Sequence, residues 1–164
     1  MQMEIVRLID KPEAIAQVAA WYHEEWGHLG ANRTQAELTH TLSQYLQLSG
    51  IPQLWLALED GLPVGAIQLR YQEHPEYPVD SVWLGGIYVI PANRGQGIAK
   101  RLIATAEHYA LASGADSLYL QTEAKNLALY HSLNWRVIAT LPYSDLLVKV
   151  MRKSPIRENH DTRN

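Results

Sequence analysis

Gly95 and Gly97 stand two residues apart between an apolar run and a helical one, with Lys100 and Arg101 close behind. In Ile87–Leu102 this order describes a strand that passes through a glycine turn into a helix. The first amides of a helix lack internal acceptors and lie at the positive end of its dipole, so an anion placed there is stabilised. Glycine lets such an anion approach the backbone closely. Phosphate is the natural occupant, with one of Lys100 and Arg101 reaching it and the other facing water. Glycine pairs also make ordinary tight turns, and the turn taken alone favours that plainer reading. Two phosphate motifs are excluded. A P-loop needs four residues between its glycines followed by Gly-Lys-Ser/Thr, and a dinucleotide fingerprint needs a third glycine where Lys100 stands.

Other chemistries find little support. His23 and His28 are five apart, not the i, i+4 metal pair of a helix, and no His-Glu-x-x-His occurs; no metal is implied. No nucleophile elbow accompanies the serines. With no cysteine, thiolate zinc sites, a cysteine nucleophile and a disulfide framework are all absent.

The elements that must position the turn are legible along the chain. Met3–Leu8 reads as a strand, and Asp10 with Glu13 as a capping box opening a helix whose apolar face is Ile15, Val18, Ala19, Tyr22 and Trp26, ending near Gly27–Gly30. Thr34 with Glu37 repeats the capping pattern before a second helix closing near Gly50. Leu54–Leu58 and Val64–Arg70 flank Asp60-Gly61, a hairpin dipeptide. Glu73–Asp80, with two prolines, reads as a loop. Val82–Ile90 is a strand in which Gly85-Gly86 marks a bulge or a close backbone approach. A helix is expected over Gln96–Ser113, a strand over Ser117–Gln121, a short helix over Leu127–Leu133, and strands over Trp135–Leu141 and Leu146–Met151. The order predicts one α/β domain over 1–153, a mixed, mostly antiparallel central sheet of about seven strands flanked by about four helices. The polar tail, 154–164, is expected to be disordered.

The 164 residues suit one domain with a real core, and 47% apolar against 19% charged residues is a soluble globular balance. A net charge of −3 does not favour nucleic acid as a partner. No run is long enough to span a bilayer, and nothing at the start resembles a signal-peptide core. A cytoplasmic location is expected.

Arg94-Gly95-Gln96-Gly97-Ile98-Ala99 resembles the Arg/Gln-x-x-Gly-x-Gly/Ala motif of the GNAT N-acetyltransferases. Leu129-Tyr130-His131-Ser132-Leu133-Asn134-Trp135 resembles that family's Leu-Tyr-x-x-Leu-Gly-Phe segment. Trp21–Gly27 and Pro78–Val89 are similar, more weakly, to bacterial members of unassigned substrate. The resemblance implies a GNAT-like fold and direct acetyl transfer from acetyl-CoA to a primary amine of a small molecule or peptide, with coenzyme A as product. A homodimer is compatible with it. It implies that pantetheine lies along the fourth strand, facing the amides of Tyr88 and Val89, which could also polarise the thioester carbonyl. The pyrophosphate would rest on Arg94, Gly95, Gln96, Gly97, Ile98, Ala99 and Lys100. Tyr130 falls on the position that protonates the departing thiolate and is the expected catalytic acid.

Two departures from the family pattern stand out. Many relatives place a glutamate on the fourth strand as general base, where this chain has Trp83-Leu84-Gly85-Gly86, and the base is left unassigned. The resemblance puts Glu24, Glu25, Glu73, His74 and Asp80 on the acceptor side, an acidity that suits a cationic amine. The asparagine usual seven residues before the tyrosine is here Glu123; Asn126, on another turn, is the remaining cofactor contact. The missing strand glutamate also motivates an alternative, a catalytically silent CoA-binding sensor or interaction module, and the glycine turn alone would suit a plain nucleotide-binding domain.

Overall fold

A computed structural model of the chain describes residues 2–27, 33–143 and 146–156. Seven strands form one sheet in the order β1-β2-β3-β4-β5-β7-β6. They are β1 (Met3–Arg7), β2 (Gln53–Glu59), β3 (Leu62–Tyr71), β4 (Val82–Val89), β5 (Leu118–Thr122), β6 (Arg136–Tyr143) and β7 (Leu146–Lys153). Four helices cover it: α1 (Ile15–Trp26), α2 (Gln35–Leu42), α3 (Ile98–Ala112) and α4 (Leu127–Ser132). Among the described residues no helix is long and apolar enough to cross a membrane.

Both faces of the sheet are buried, and β2 shows how its residues are divided. Leu54, Leu56 and Leu58 point into the core under α1 and α2, whereas Trp55 and Ala57 point into the core under α3. That alternation is the two-residue period of a strand. Asp60 and Gly61 both adopt positive φ, 51° and 85°, as the expected hairpin turn between β2 and β3 requires.

The Thr34–Glu37 capping box forms in full: the threonine hydroxyl accepts from the Glu37 amide at 3.1 Å, and the glutamate accepts from the Thr34 amide at 2.9 Å. The one expected at Asp10 and Glu13 does not. Pro12 opens a separate 3-10 turn there, and α1 starts only at Ile15 without a side-chain cap. The second helix is shorter than its periodicity suggests, since α2 tightens into a 3-10 turn over Ser43–Tyr45. His28 and Gly30, near the expected end of α1, lie outside the described residues.

Beyond β7 the described chain continues to Ile156. Ile156 is 5% exposed, packs into the α3-side core and donates its amide to the Asp116 carbonyl at 3.0 Å. An apolar side chain in a polar stretch is thus packed against the domain.

One interruption organises the molecule. β4 and β5 are the sheet's only parallel neighbours among the described strands, and they pair through a single contact, Trp83 with Tyr119. Beyond it the strands part. The β3–β4 register slips at the same level, Ala66 facing Tyr88 but Gln68 facing Gly85, so two residues of β4 oppose one of β3. This is the bulge that the glycines suggested. Gly86 holds it with φ +54°, and the Tyr22 hydroxyl on α1 donates to the Gly86 carbonyl at 2.6 Å. A β-carbon at 86 would stand 2.5 Å from that hydroxyl, so glycine is required twice over.

Candidate functional site

Two adjoining cavities occupy the parting of β4 and β5. The first, about 530 Å³, runs along Ile87, Tyr88 and Val89 to the glycine turn and the first residues of α3. The second, about 610 Å³, lies under α1 and α2, over Gln68, Arg70, Gly85 and Gln121. Trp26, Ile87, Glu123, Asn126 and Tyr130 line both, so the two spaces meet there.

At the turn, Gly95 and Gly97 adopt φ of +80° and +81°, left-handed values that side chains resist, and a β-carbon at either would meet nothing within 4 Å. The open space above them is the cradle of a close backbone approach. Gly97 is the N-cap of α3 and contributes no side-chain cap. The amides of Ile98, Ala99 and Lys100 therefore keep the vacant donor positions of a first helical turn. Arg94 is fixed beside them: its Nε donates to the Val89 carbonyl at 2.8 Å and its guanidinium lies 5.6 Å over the Tyr88 ring. The site fits a diphosphate, with Lys100 adding charge. Of the expected cofactor residues, Tyr88, Val89, Arg94, Gly95, Gly97, Ile98, Ala99, Lys100, Asn126 and Tyr130 line this cleft. Gln96, exposed between the glycines, does not.

Strand polarity corrects one expectation about the backbone. The Ile90 amide donates to the Val64 carbonyl of β3 at 2.9 Å. In an antiparallel ladder neighbouring residues point their amides to opposite sides, so Tyr88 also faces β3 and its amide is committed there. Val89 faces the open side, as its carbonyl bond to Arg94 requires. Ile87, within the bulge where the alternation lapses, also lines the cleft, a residue that sequence reasoning missed.

Tyr130, on α4, is 6% exposed at the junction of the cavities. Burial, and after it the negative charge of Glu73, pushes its phenol up to about 12. Glu73 itself arrives from the loop after β3. Its Oε2 accepts from Gln121 Nε2 on β5 at 3.1 Å, and a β-carbon on Gly85 would stand 2.3 Å from Oε1. The carboxylate therefore lies directly on the fourth strand. Burial raises its pKa, opposed by the Arg70 guanidinium and by the Gln121 bond.

The other residues expected on the acceptor side divide. Glu25 lines the cofactor cleft instead, and Glu24, His74 and Asp80 line neither cavity. His74 is engaged within its loop, its Nδ1 accepting from the Glu76 amide at 3.2 Å and its ring 5.8 Å from Tyr77. Of the residues expected on the acceptor side only Glu73 lines the second cavity, because the loop folds that side chain alone over the sheet, and Glu123 joins it there from β5's far end. Gln68, Arg70 and Gln121, all unremarked in the sequence, form the floor. A signal for the first two existed: polar Gln68 and Arg70 alternate with buried Ile67 and Leu69 in β3. Gln68 joins a second layer, accepting from the Tyr45 hydroxyl at 2.9 Å and bonding Tyr22. Burial raises both phenols, Tyr45 to about 12.

A family model described as acetyltransferase (GNAT) family matches residues 15–135. No curated protein matches the sequence. Among solved structures, an N-acetyltransferase from Staphylococcus aureus superposes with a TM-score of 0.74 at 18% identity, covering 94% of this chain and 99% of its own. An aminoglycoside 6'-N-acetyltransferase complexed with coenzyme A gives 0.73 at 16%, covering 96% and 99%. The Salmonella typhimurium protein yncA, solved with its cofactor acetyl-CoA, gives 0.72 at 18%, covering 96% and 95%. At such identities the likeness is one of fold.

Proposed function

Since the chain belongs to the acetyltransferase (GNAT) family, and so is an acyl-CoA-dependent N-acetyltransferase with acetyl-CoA as cosubstrate, we propose that it acetylates a primary amine of a small molecule or peptide directly. Bound acetyl-CoA would supply the thioester carbonyl that the amine attacks. The amides of Ile98, Ala99 and Lys100 would hold the diphosphate, with Arg94 and Lys100 beside it. Val89 would present its open amide to the cosubstrate's arm, a donor there stabilising the developing oxyanion.

Glu73 is the base in this reading. An alkylamine with a pKa of about 10.4 is almost wholly protonated at neutral pH, and a carboxylate raised by burial is better matched to taking that proton than an ordinary one. Tyr130 is the acid: a phenol near 12 keeps its proton until a sulfur anion needs it. The observation that carries the reading is the position of Tyr130, at the junction of the two cavities and within the field of Glu73. The silent-sensor alternative drew on the missing strand glutamate, and the carboxylate of Glu73 over Gly85 supports the enzyme reading over it. Calorimetry with acetyl-CoA followed by CoA-release assays on polyamines, aminoglycosides, amino acids and peptides tests the proposal. Binding without release across all four classes would refute it.

A further inference from the structure

The acceptor cavity holds four charged side chains, and they are not evenly answered. Glu73 accepts from Gln121, and Glu123 lies 3.5 Å from Lys125. Arg33 donates to the Thr41 hydroxyl at 3.1 Å and stands exposed at the rim. Arg70 differs from all three. It is half-buried on the inward face of β3 and lines the cavity, and although its charge is felt by Glu73, its guanidinium makes no hydrogen bond or ion pair with a described residue. Its five donors open on the cavity and not on a protein acceptor, so a group brought there with paired acceptor oxygens would find them ready. Its planar fork matches a carboxylate.

The rest of the lining narrows the occupant. Trp26, Leu38, Leu84, Leu120 and Val148 make much of the wall apolar. Two carboxylates, Glu73 and Glu123, share the space, so a dianion such as a phosphate monoester would be repelled about twice as strongly as a monoanion. We infer that the acceptor is an amino-carboxylate with an apolar body, its carboxylate paired with Arg70 and its amine turned to Glu73. This rests on the acetyltransferase reading and adds the substrate class to it.

The test compares matched acceptors with the wild-type enzyme and acetyl-CoA: apolar α- and β-amino acids, each beside its decarboxylated amine and its methyl ester. The free acids are expected to show kcat/KM about 10- to 100-fold above their partners, the worth of a charge-assisted bond, with the difference lying in KM. Arg70→Gln should erase that preference and Arg70→Lys should keep part of it. Equal rates for acid, ester and decarboxylated amine would overturn the inference and leave the acetyltransferase reading standing, as would faster acetylation of a polyamine or an aminoglycoside. A preference unaltered in Arg70→Gln would also overturn it. CoA release with no amine of any kind would overturn both.

Discussion

The Glu73 carboxylate lies against the α-carbon of Gly85, so close that a β-carbon at 85 would stand 2.3 Å from Oε1. A residue with any side chain at this place on β4 excludes the loop glutamate, and the loop glutamate is possible only over glycine. The two positions are thereby a single device, distributed over a strand and a loop.

Gly85→Ala follows from that contact. Its collision is with the far end of a flexible side chain, so the fold should yield cheaply while the carboxylate is displaced. Thermal stability is expected within about 0.5 kcal/mol of wild type, with kcat/KM lowered on the order of 10²-fold, the scale of a roughly ångström misplacement. Steady-state kinetics beside a thermal melt checks both. A fully active Gly85→Ala enzyme would release Glu73 from its role.

Glu73 also sets a pH dependence. Burial raises its pKa above the ordinary value, so kcat/KM should fall on the acid side with a midpoint above about 4.3, the usual glutamate value. Glu73→Gln should remove that limb and lower the rate about 10²- to 10⁴-fold. Stability carries the opposite sign. A folded pKa above the unfolded one contributes stability that is complete below the unfolded pKa and is lost as pH rises through the folded pKa. Glu73→Gln should therefore melt higher relative to wild type at pH 8 than at pH 4. Paired melts at the two pH values read this directly.

Tyr130, with its phenol at about 12, stays protonated throughout the working range. Tyr130→Phe should lower turnover by about 10²- to 10⁴-fold at every pH tested, with acetyl-CoA affinity by calorimetry nearly unchanged. Loss of affinity in step with turnover would mark it as a binding residue instead.

Gly97 combines φ +81° with open space above it. Gly97→Val should cost about 1–2 kcal/mol of stability from the left-handed conformation and weaken acetyl-CoA binding more than 10-fold by filling the cradle. Circular dichroism and calorimetry separate the two effects. Normal affinity in a folded variant would move the diphosphate elsewhere.

Away from the site, Glu107 on α3 accepts from Lys153 Nζ of β7 at 2.8 Å and from the Trp135 indole at 3.1 Å, the two charged side chains being 11% and 12% exposed. Glu107→Ala leaves the ammonium and the indole without that acceptor and is expected to cost about 3–5 kcal/mol, read by denaturant unfolding. Replacing Lys153 by Met in the same chain should recover part of the loss.

What the sequence by itself determined about this protein is what neighbouring residues decide together. The glycine turn is an affair of six consecutive residues, and the left-handed glycines, the vacant amides after them and the helix stripe behind them are all local. The Thr34–Glu37 box and the Asp60-Gly61 hairpin belong to the same class, as does the bulge flagged by Gly85-Gly86. Where a proline intervened, at Pro12, the local signal misled, because the backbone turned before the helix could start.

Only the tertiary structure decided where Glu73 lies and which residues floor the second cavity. Glu73 meets Gly85 across a loop and Gln121 across a neighbouring strand, and nothing in the spacing of those residues announces the contact. Arg70 looks like an ordinary strand cation until the parting of β4 from β5 opens a cavity above it. Which amides of β4 remain free was likewise settled by register, since pairing with β3 occupies Tyr88 and exposes Val89. The physical reason is the same in each case: carboxylate, guanidinium and amide take their chemistry from the solvent and partners around them, and those are set by which strands lie side by side.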